Sequence, residues 1–242
     1  MLRLMMISLS ILSVGFSVGC ESAESEDIRT SGMYPNMSIV SDGASSQADV
    51  IIRVGGPTSN TFVNLTSGDT LTVAVNDDQP ITMTENNLGD YYQYSATLNE
   101  TEEDTQFTFA LTRENDDSAP ESIVTLPAPF SMSSPLSENL FSRENDDVVV
   151  TWEPSGQGDS MTLYLGGDCI EDYSDASLDD TGSHTISAGT LALDEEDDQF
   201  DSSCSVDVTI RRNRVGTVDA VFDEGGVLTA TQVRSSSFQS EP

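Results

Sequence analysis

Leu71-Thr72-Val73-Ala74-Val75-Asn76 sets an apolar side chain at every second position, the spacing that gathers them on one face of a pleated strand. The same period recurs along the chain. Val50, Ile52 and Val54 alternate with Ile51 and Arg53; Tyr92, Tyr94, Ala96 and Leu98 share one face, as do Phe107, Phe109 and Leu111. Gly, Asn-Asp, Asp-Asp and Pro interrupt these runs at the interval expected of a sandwich, and no stretch carries a helical stripe capped at both ends. The chain therefore reads as all-β, with antiparallel strands half-buried in β-sandwiches.

A break falls at Leu126-Pro127-Ala128-Pro129, because proline stiffens the chain and cannot donate a hydrogen bond inside a sheet. We expect two tandem sandwich domains, residues 48–126 and 127–235, followed by a tail at 236–242. One larger sandwich with the prolines in a loop is the alternative. Arg113-Glu114-Asn115-Asp116-Asp117 recurs as Arg143-Glu144-Asn145-Asp146-Asp147, too close to repeat a whole domain, so both copies read as acidic turns at strand ends. In the second domain Val148, Val150 and Trp152 fall on one face ahead of Glu153-Pro154-Ser155-Gly156, and Met161-Thr162-Leu163-Tyr164-Leu165 follows. This resembles the B and C strands of a fibronectin type III domain, where a tryptophan packs the core just before a proline-containing turn. The resemblance implies an immunoglobulin-like sandwich and no particular activity.

The N-terminus supplies an address. Arg3 precedes an apolar run from Leu4 to Val18, long enough for a signal peptide and too short to span a bilayer as a mature helix. The run ends in Ser17-Val18-Gly19-Cys20, which resembles the lipobox of bacterial lipoproteins, although that family favours leucine where Ser17 stands. The resemblance implies a signal peptide over 1–19, removed at Cys20, and acyl chains on Cys20 as the link to the membrane. Glu21, not Asp, comes next, which by the family's sorting rule implies the outer membrane of the cell envelope. A plain secretory leader with an incidental cysteine is the rival. Residues 20–47, rich in Ser, Glu, Asp and Gly, are expected to form a disordered tether.

The chain carries 42 acids against 9 bases, a formal charge of −33, and every base is arginine. Such an excess excludes nucleic acid and anionic lipid as partners of the folded body, since both are repelled. The absence of lysine beside abundant Asp, Glu and Thr resembles proteins of marine or halophilic organisms, whose carboxylates keep a surface hydrated in salt. At seawater ionic strength the Debye length is only about 4 Å, so self-repulsion is tolerable there.

Little of the chain points to catalysis. The single histidine, His184, adjoins Ser183, but neighbours in a strand point to opposite faces and cannot form a Ser-His pair. Without lysine there is no Schiff base, and 42 acids make accidental carboxylate pairs inevitable. Beyond Cys20 the only thiols are Cys169 and Cys204, which an exported protein most simply joins; a zinc site would need nearby histidines. The acidic stretch Asp194, Glu195, Glu196, Asp197, Asp198 with Asp201 concentrates hard oxygen donors, as do Asp172, Asp175, Asp179 and Asp180. Calcium takes roughly six to eight such ligands, yet the EF-hand spacing is absent and solvated acidic loops are the competing reading. Together these features describe a lipid-anchored, non-catalytic binding or scaffold module. It needs no cofactor other than the calcium those acids could hold, and its partner is an envelope protein or a glycan. A calcium-dependent adhesion or glycan-binding module is the second reading, and a carboxylate-based hydrolase the third.

Overall fold

The computed structural model describes residues 21–193 and 203–242. Its strands in the first half are β1 (Glu21–Glu24), β2 (Met33–Ser41), β3 (Ser46–Val54), β4 (Thr61–Asn64), β5 (Thr70–Val75), β6 (Ile81–Thr82), β7 (Thr84–Leu88), β8 (Tyr91–Leu98), β9 (Gln106–Thr112) and β10 (Ala119–Thr125). In the second half they are β11 (Met132–Ser134), β12 (Leu140–Ser142), β13 (Val148–Trp152), β14 (Ser160–Gly167), β15 (Ile170–Leu178), β16 (Ser183–Ile186), β17 (Cys204–Val215) and β18 (Val227–Glu241). The fold is all-β, as the alternation requires, and it contains two sandwiches.

The sandwiches are not separate beads. One eleven-stranded sheet runs through both, in the order β1-β4-β3-β2-β18-β17-β14-β15, with β7, β8 and β12 joined to it. A four-stranded sheet, β10-β9-β5-β6, closes the first core, and a three-stranded sheet, β11-β13-β16, closes the second. The long hairpin of β17 and β18 is the spine. Its strands pair from Cys204↔Ser240 to Val215↔Thr229, while the front of β18 pairs in parallel with β2, Val227 opposite Asn36. Leu228 and Ala230 therefore belong to the first core with Phe107 and Val50, whereas Phe238 belongs to the second with Trp152 and Val208.

Four expectations change. Residues 21–47 are not a tether: after β1 and two short 3-10 turns, β2 sits in the middle of the large sheet between β3 and β18. Met33, Met37 and Ile39 supply a buried alternating face that the Ser- and Asp-rich average around them conceals. The tail expected at 236–242 is likewise strand as far as Glu241, with Phe238 and Ser240 buried. The boundary of the second domain also shifts, since Phe222, Leu228 and Ala230 pack into the first core. The sheet is not purely antiparallel either: β1 with β4, β12 with β18, and β18 with β2 run parallel.

The proline stretch is a buried crossing between cores. Leu126 and Ala128 are buried, and polar side chains from the spine take up its carbonyls. Arg212 Nη1 donates to Ala128 O at 2.8 Å, Arg214 Nη1 to Leu126 O at 3.2 Å, and Gln232 Nε2 to Pro127 O at 3.3 Å. Arg214 also pairs with Asp159 of the second half at 2.8 Å and Asp104 of the first at 2.7 Å. At Gly216, where the chain leaves β17, a Cβ would stand 2.6 Å from Ile123 O and 2.7 Å from Val124 Cβ. Only glycine fits that approach.

The two acidic repeats are turns, and in each the arginine is the buried residue. Arg113 donates from Nε to Asp69 at 2.6 Å, from Nη1 to Thr30 Oγ1 at 2.9 Å and from Nη2 to Ser25 O at 2.7 Å. It thereby fastens the segment read as a tether. Arg143 donates to Ser240 Oγ at 3.0 Å and so holds the C-terminal end of β18. A guanidinium with several fixed donors suits such clamps, because one side chain can hold acceptors from several separate segments at once.

Candidate binding surface

Both smaller sheets cover the same face of the long sheet. Along β17, Val206, Val208, Ile210 and Arg212 are fully buried, while Asp207, Thr209, Arg211 and Asn213 alternate to the other side. Along β18, Leu228, Ala230, Gln232, Phe238 and Ser240 face inward, and Thr229, Val233, Ser235, Ser237 and Gln239 face outward. Alternation along one continuous ladder leaves the face opposite both cores without a covering sheet, although Thr231, at an outward position, is itself buried against its neighbours. From β7 across β8, β3, β2, β18 and β17 to β14 it is about 29 Å wide at ~4.8 Å per strand.

The chemistry of this face differs from the rest of the molecule. Its hydroxyls and amides bond to one another across strands. Asn86 Nδ2 donates to Ser95 Oγ at 2.7 Å, Gln93 Nε2 to Asp49 Oδ1 at 2.8 Å, and Thr97 Oγ1 to Gln47 Oε1 at 2.9 Å. Thr231 Oγ1 donates to Asn213 Oδ1 at 2.9 Å, and the Thr209 and Ser235 hydroxyls lie 3.1 Å apart. Tyr34, Tyr91 and Tyr164 add ring surface, and a hydrogen bond with Asp172 raises the Tyr164 hydroxyl above its ordinary value. On the outward positions of β8, β3, β2, β17 and β14, and of β18 as far as Gln239, charge enters only as Asp49, Asp207, Arg53 and Arg211. These two carboxylates and two guanidiniums balance, and Asp172, reaching Tyr164 from β15, adds a single negative charge, on a chain of formal charge −33.

Elsewhere the surface is more acidic than composition alone suggests, because the arginines turn inward. Arg113, Arg143 and Arg212 are buried, Arg53, Arg214 and Arg234 half-buried, and Arg29 and Arg211 exposed. Among the described acids Asp69 is buried, and the side chains of Asp180 and Asp159 are covered where they meet Arg212 and Arg214. Carboxylates without nearby cations repel one another, and salt screens that repulsion. We expect the melting temperature to rise on going from dilute buffer to molar sodium chloride. Each 1 kcal/mol gained should move it by about 2–4 °C for a chain of this size. A melting temperature independent of salt would contradict this.

The residues singled out from sequence divide clearly. Cys20 and the acids Asp194, Glu195, Glu196, Asp197, Asp198 and Asp201 lie outside the described residues. Cys169 and Cys204 are joined, their Cα atoms 5.7 Å apart, and tie the β14–β15 turn to the start of β17. Among the described residues no group of three His, Cys, Asp or Glu is arranged to hold a metal. Asp180 is instead taken up internally: Trp152 Nε1 donates to it at 2.7 Å, Ser155 Oγ at 2.7 Å and Arg212 Nη2 at 3.1 Å. Asp172 and Asp175 lie within β15 and not in a loop, and Asp175 accepts from Ser177 N at 3.1 Å. Ser183 and His184 lie in β16, and the His184 ring meets the Tyr173 hydroxyl at 3.3 Å rather than a serine.

An open depression of about 550 Å3 lies between residues 26–31 and the first acidic repeat. Asp116 on its rim accepts from Thr30 N at 2.7 Å, and that bond holds its carboxyl below the usual range. Sequence reading missed the bare face altogether. The available signal was Thr, Ser and Asn at alternate positions of Val227-Leu228-Thr229-Ala230-Thr231 and of the runs that pair with it.

No family model matches the chain, and no curated protein does. Among solved structures it is similar to a cytokine receptor complex at 11% identity, covering 83% of this chain and 94% of that one, with a TM-score of 0.30. It is similar to the chicken CNTN1 FN1-FN3 domains at 12% identity, covering 83% and 66%, with a TM-score of 0.24. Fibronectin(III)-like modules of Clostridium thermocellum CbhA match at 10% identity, covering 86% and 90%, with a TM-score of 0.26. Likeness at these scores assigns no function, and the fold rests on the strand pairing given above.

Proposed function

We propose that the chain is a non-catalytic binding module of the bacterial cell envelope. It is exported by residues 1–19, held at the outer membrane by acyl chains on Cys20, and binds a neutral glycan on the bare face of its long sheet. The observation that carries this reading is the nearly uncharged, hydrogen-bonded polar face on a polyanionic molecule. Sugar hydroxyls exchange hydrogen bonds with water at little net gain unless the protein groups are already held in place, as the cross-strand pairs hold them here. Tyrosine rings offer apolar area with little entropy to lose. A polyanionic ligand would be repelled by the surrounding loops.

The reading is tested by electrophoresis of the native protein through gels containing soluble neutral polysaccharides. Wild type should be retarded, and the double variant Thr229→Glu/Ser235→Glu, which puts charge on two outward positions, should run freely. Equal mobility of the two proteins in every gel would contradict it. Retardation that vanishes with a calcium chelator would favour the calcium-dependent alternative.

A further inference from the structure

The described chain begins one peptide bond after Cys20, and it begins as sheet. Glu21 pairs with Thr61 and its N–H donates to Asn60 O at 3.1 Å. Ser22 pairs with Phe62, and its hydroxyl donates to Asp90 Oδ1 at 3.0 Å. Successive Cα atoms lie about 3.8 Å apart, so acyl chains on Cys20 would enter the bilayer beside this edge and not at the end of a leash.

Asp90 belongs to the turn between β7 and β8, Leu88-Gly89-Asp90-Tyr91. Leu88 is 84% exposed, more than any other large apolar side chain among the described residues. Behind it the Tyr91 ring stands edge-on to Phe62, centroids 4.9 Å apart. The neighbouring loop, Gly55-Gly56-Pro57-Thr58-Ser59-Asn60, is uncharged. An aliphatic tip over a half-buried aromatic is suited to the boundary between headgroups and acyl chains. The spine leads away from this end. Val227 lies opposite Asn36, while Gln239 lies opposite Leu140, and a strand of this length spans roughly 50 Å at ~3.3 Å per residue.

We propose that the turn at 88–91 is a second, non-covalent membrane contact. Leu88 inserts into a zwitterionic bilayer next to the acyl chains, and the long sheet stands on end with its second sandwich away from the lipid. This rests on the Cys20 anchor of the preceding subsection. The charge selects the lipid: a chain of −33 is repelled by an anionic leaflet, whereas a zwitterionic surface offers ammonium groups to Asp90 and Glu21.

Leu88→Cys and, as a matched control, Leu140→Cys place one free thiol at either end, since Cys169 and Cys204 are joined. Leu140 is also an exposed leucine, at 56%. Each full-length protein, prepared from membranes with its lipid, is labelled with an environment-sensitive dye. It is then placed in phosphatidylcholine vesicles containing spin-labelled lipid. Detergent phase separation of the same samples reports the anchor. We expect both to enter the detergent phase, the dye at 88 to shift to the blue and lose most of its emission to the quencher, and the dye at 140 to stay water-like. A water-like dye at 88 on detergent-phase protein overturns the second contact and leaves the anchor standing. Two quenched dyes overturn the end-on stance. Recovery in the aqueous phase overturns anchor and contact together.

Discussion

Replacing Arg212 with methionine should lower stability by about 3–5 kcal/mol, the loss expected when one member of a buried ion pair is removed. For a chain of this length that is roughly 6–20 °C in melting temperature. Arg212 is fully buried, and its guanidinium satisfies Ala128 O, Glu153 O and Asp180 together while lying 4.7 Å over the Phe130 ring. Methionine keeps volume but leaves two carbonyls without their donor and a buried carboxylate without its cation. Burial, the largest influence on Asp180, pushes its pKa up. Hydrogen bonds from Ser155, Trp152 and Arg212 outweigh burial and hold it below the ordinary value. Its contribution is therefore complete above the unfolded value of about 3.9 and lost as pH falls through the lower folded one. The double variant Arg212→Met/Asp180→Asn should recover part of the loss, because the two residues act as one unit. Urea unfolding followed through Trp152 measures all three, and a shift below about 1 kcal/mol for Arg212→Met, within the range of an exposed ion pair, would contradict the account.

Removing the disulfide should cost a comparable amount. Cys169 and Cys204 are 35 residues apart, and closing a loop of that size restricts the unfolded chain by about 3–4 kcal/mol in the chain-entropy model. The link has a second task here. It fixes the start of β17, whose first pair is Cys204 with Ser240, and so sets the register of the spine from its far end. The chain between the cysteines carries Asp194 to Asp198 and Asp201, whose mutual repulsion the cross-link must restrain. Cys169→Ala/Cys204→Ala should unfold at distinctly lower urea, with the larger loss at low ionic strength. An unchanged midpoint would contradict the prediction.

Sequence periodicity located strands well where one face is apolar and the other polar. Leu71, Val73 and Val75 lie in β5, and Val148, Val150 and Trp152 line the second core from β13. It failed at β2, where Met33, Pro35, Met37, Ile39 and Ser41 make an inward face too mixed to stand out from its serines. It also could not show that the two sandwiches share a sheet. Alternation reports which face of a strand is buried, not which strand lies beside it. The pairing of Val227 with Asn36 joins the two ends of the chain, and nothing local marks it. The arginine repeats were legible as turns, but the inward aim of Arg113 and Arg143 depends on Asp69 and Ser240, which are distant in sequence. The bare face emerges only once the register aligns seven strands.

Hydrogen exchange across a urea series tests most directly whether one sheet fuses the two sandwiches. Amides of β2 and β3 in the first core and of β13 and β14 in the second should open together, with one midpoint and one dependence on urea, because β17 and β18 cannot leave either core alone. Two midpoints, with β2 and the front of β18 opening while β14 and the rest of β18 stay protected, would contradict it.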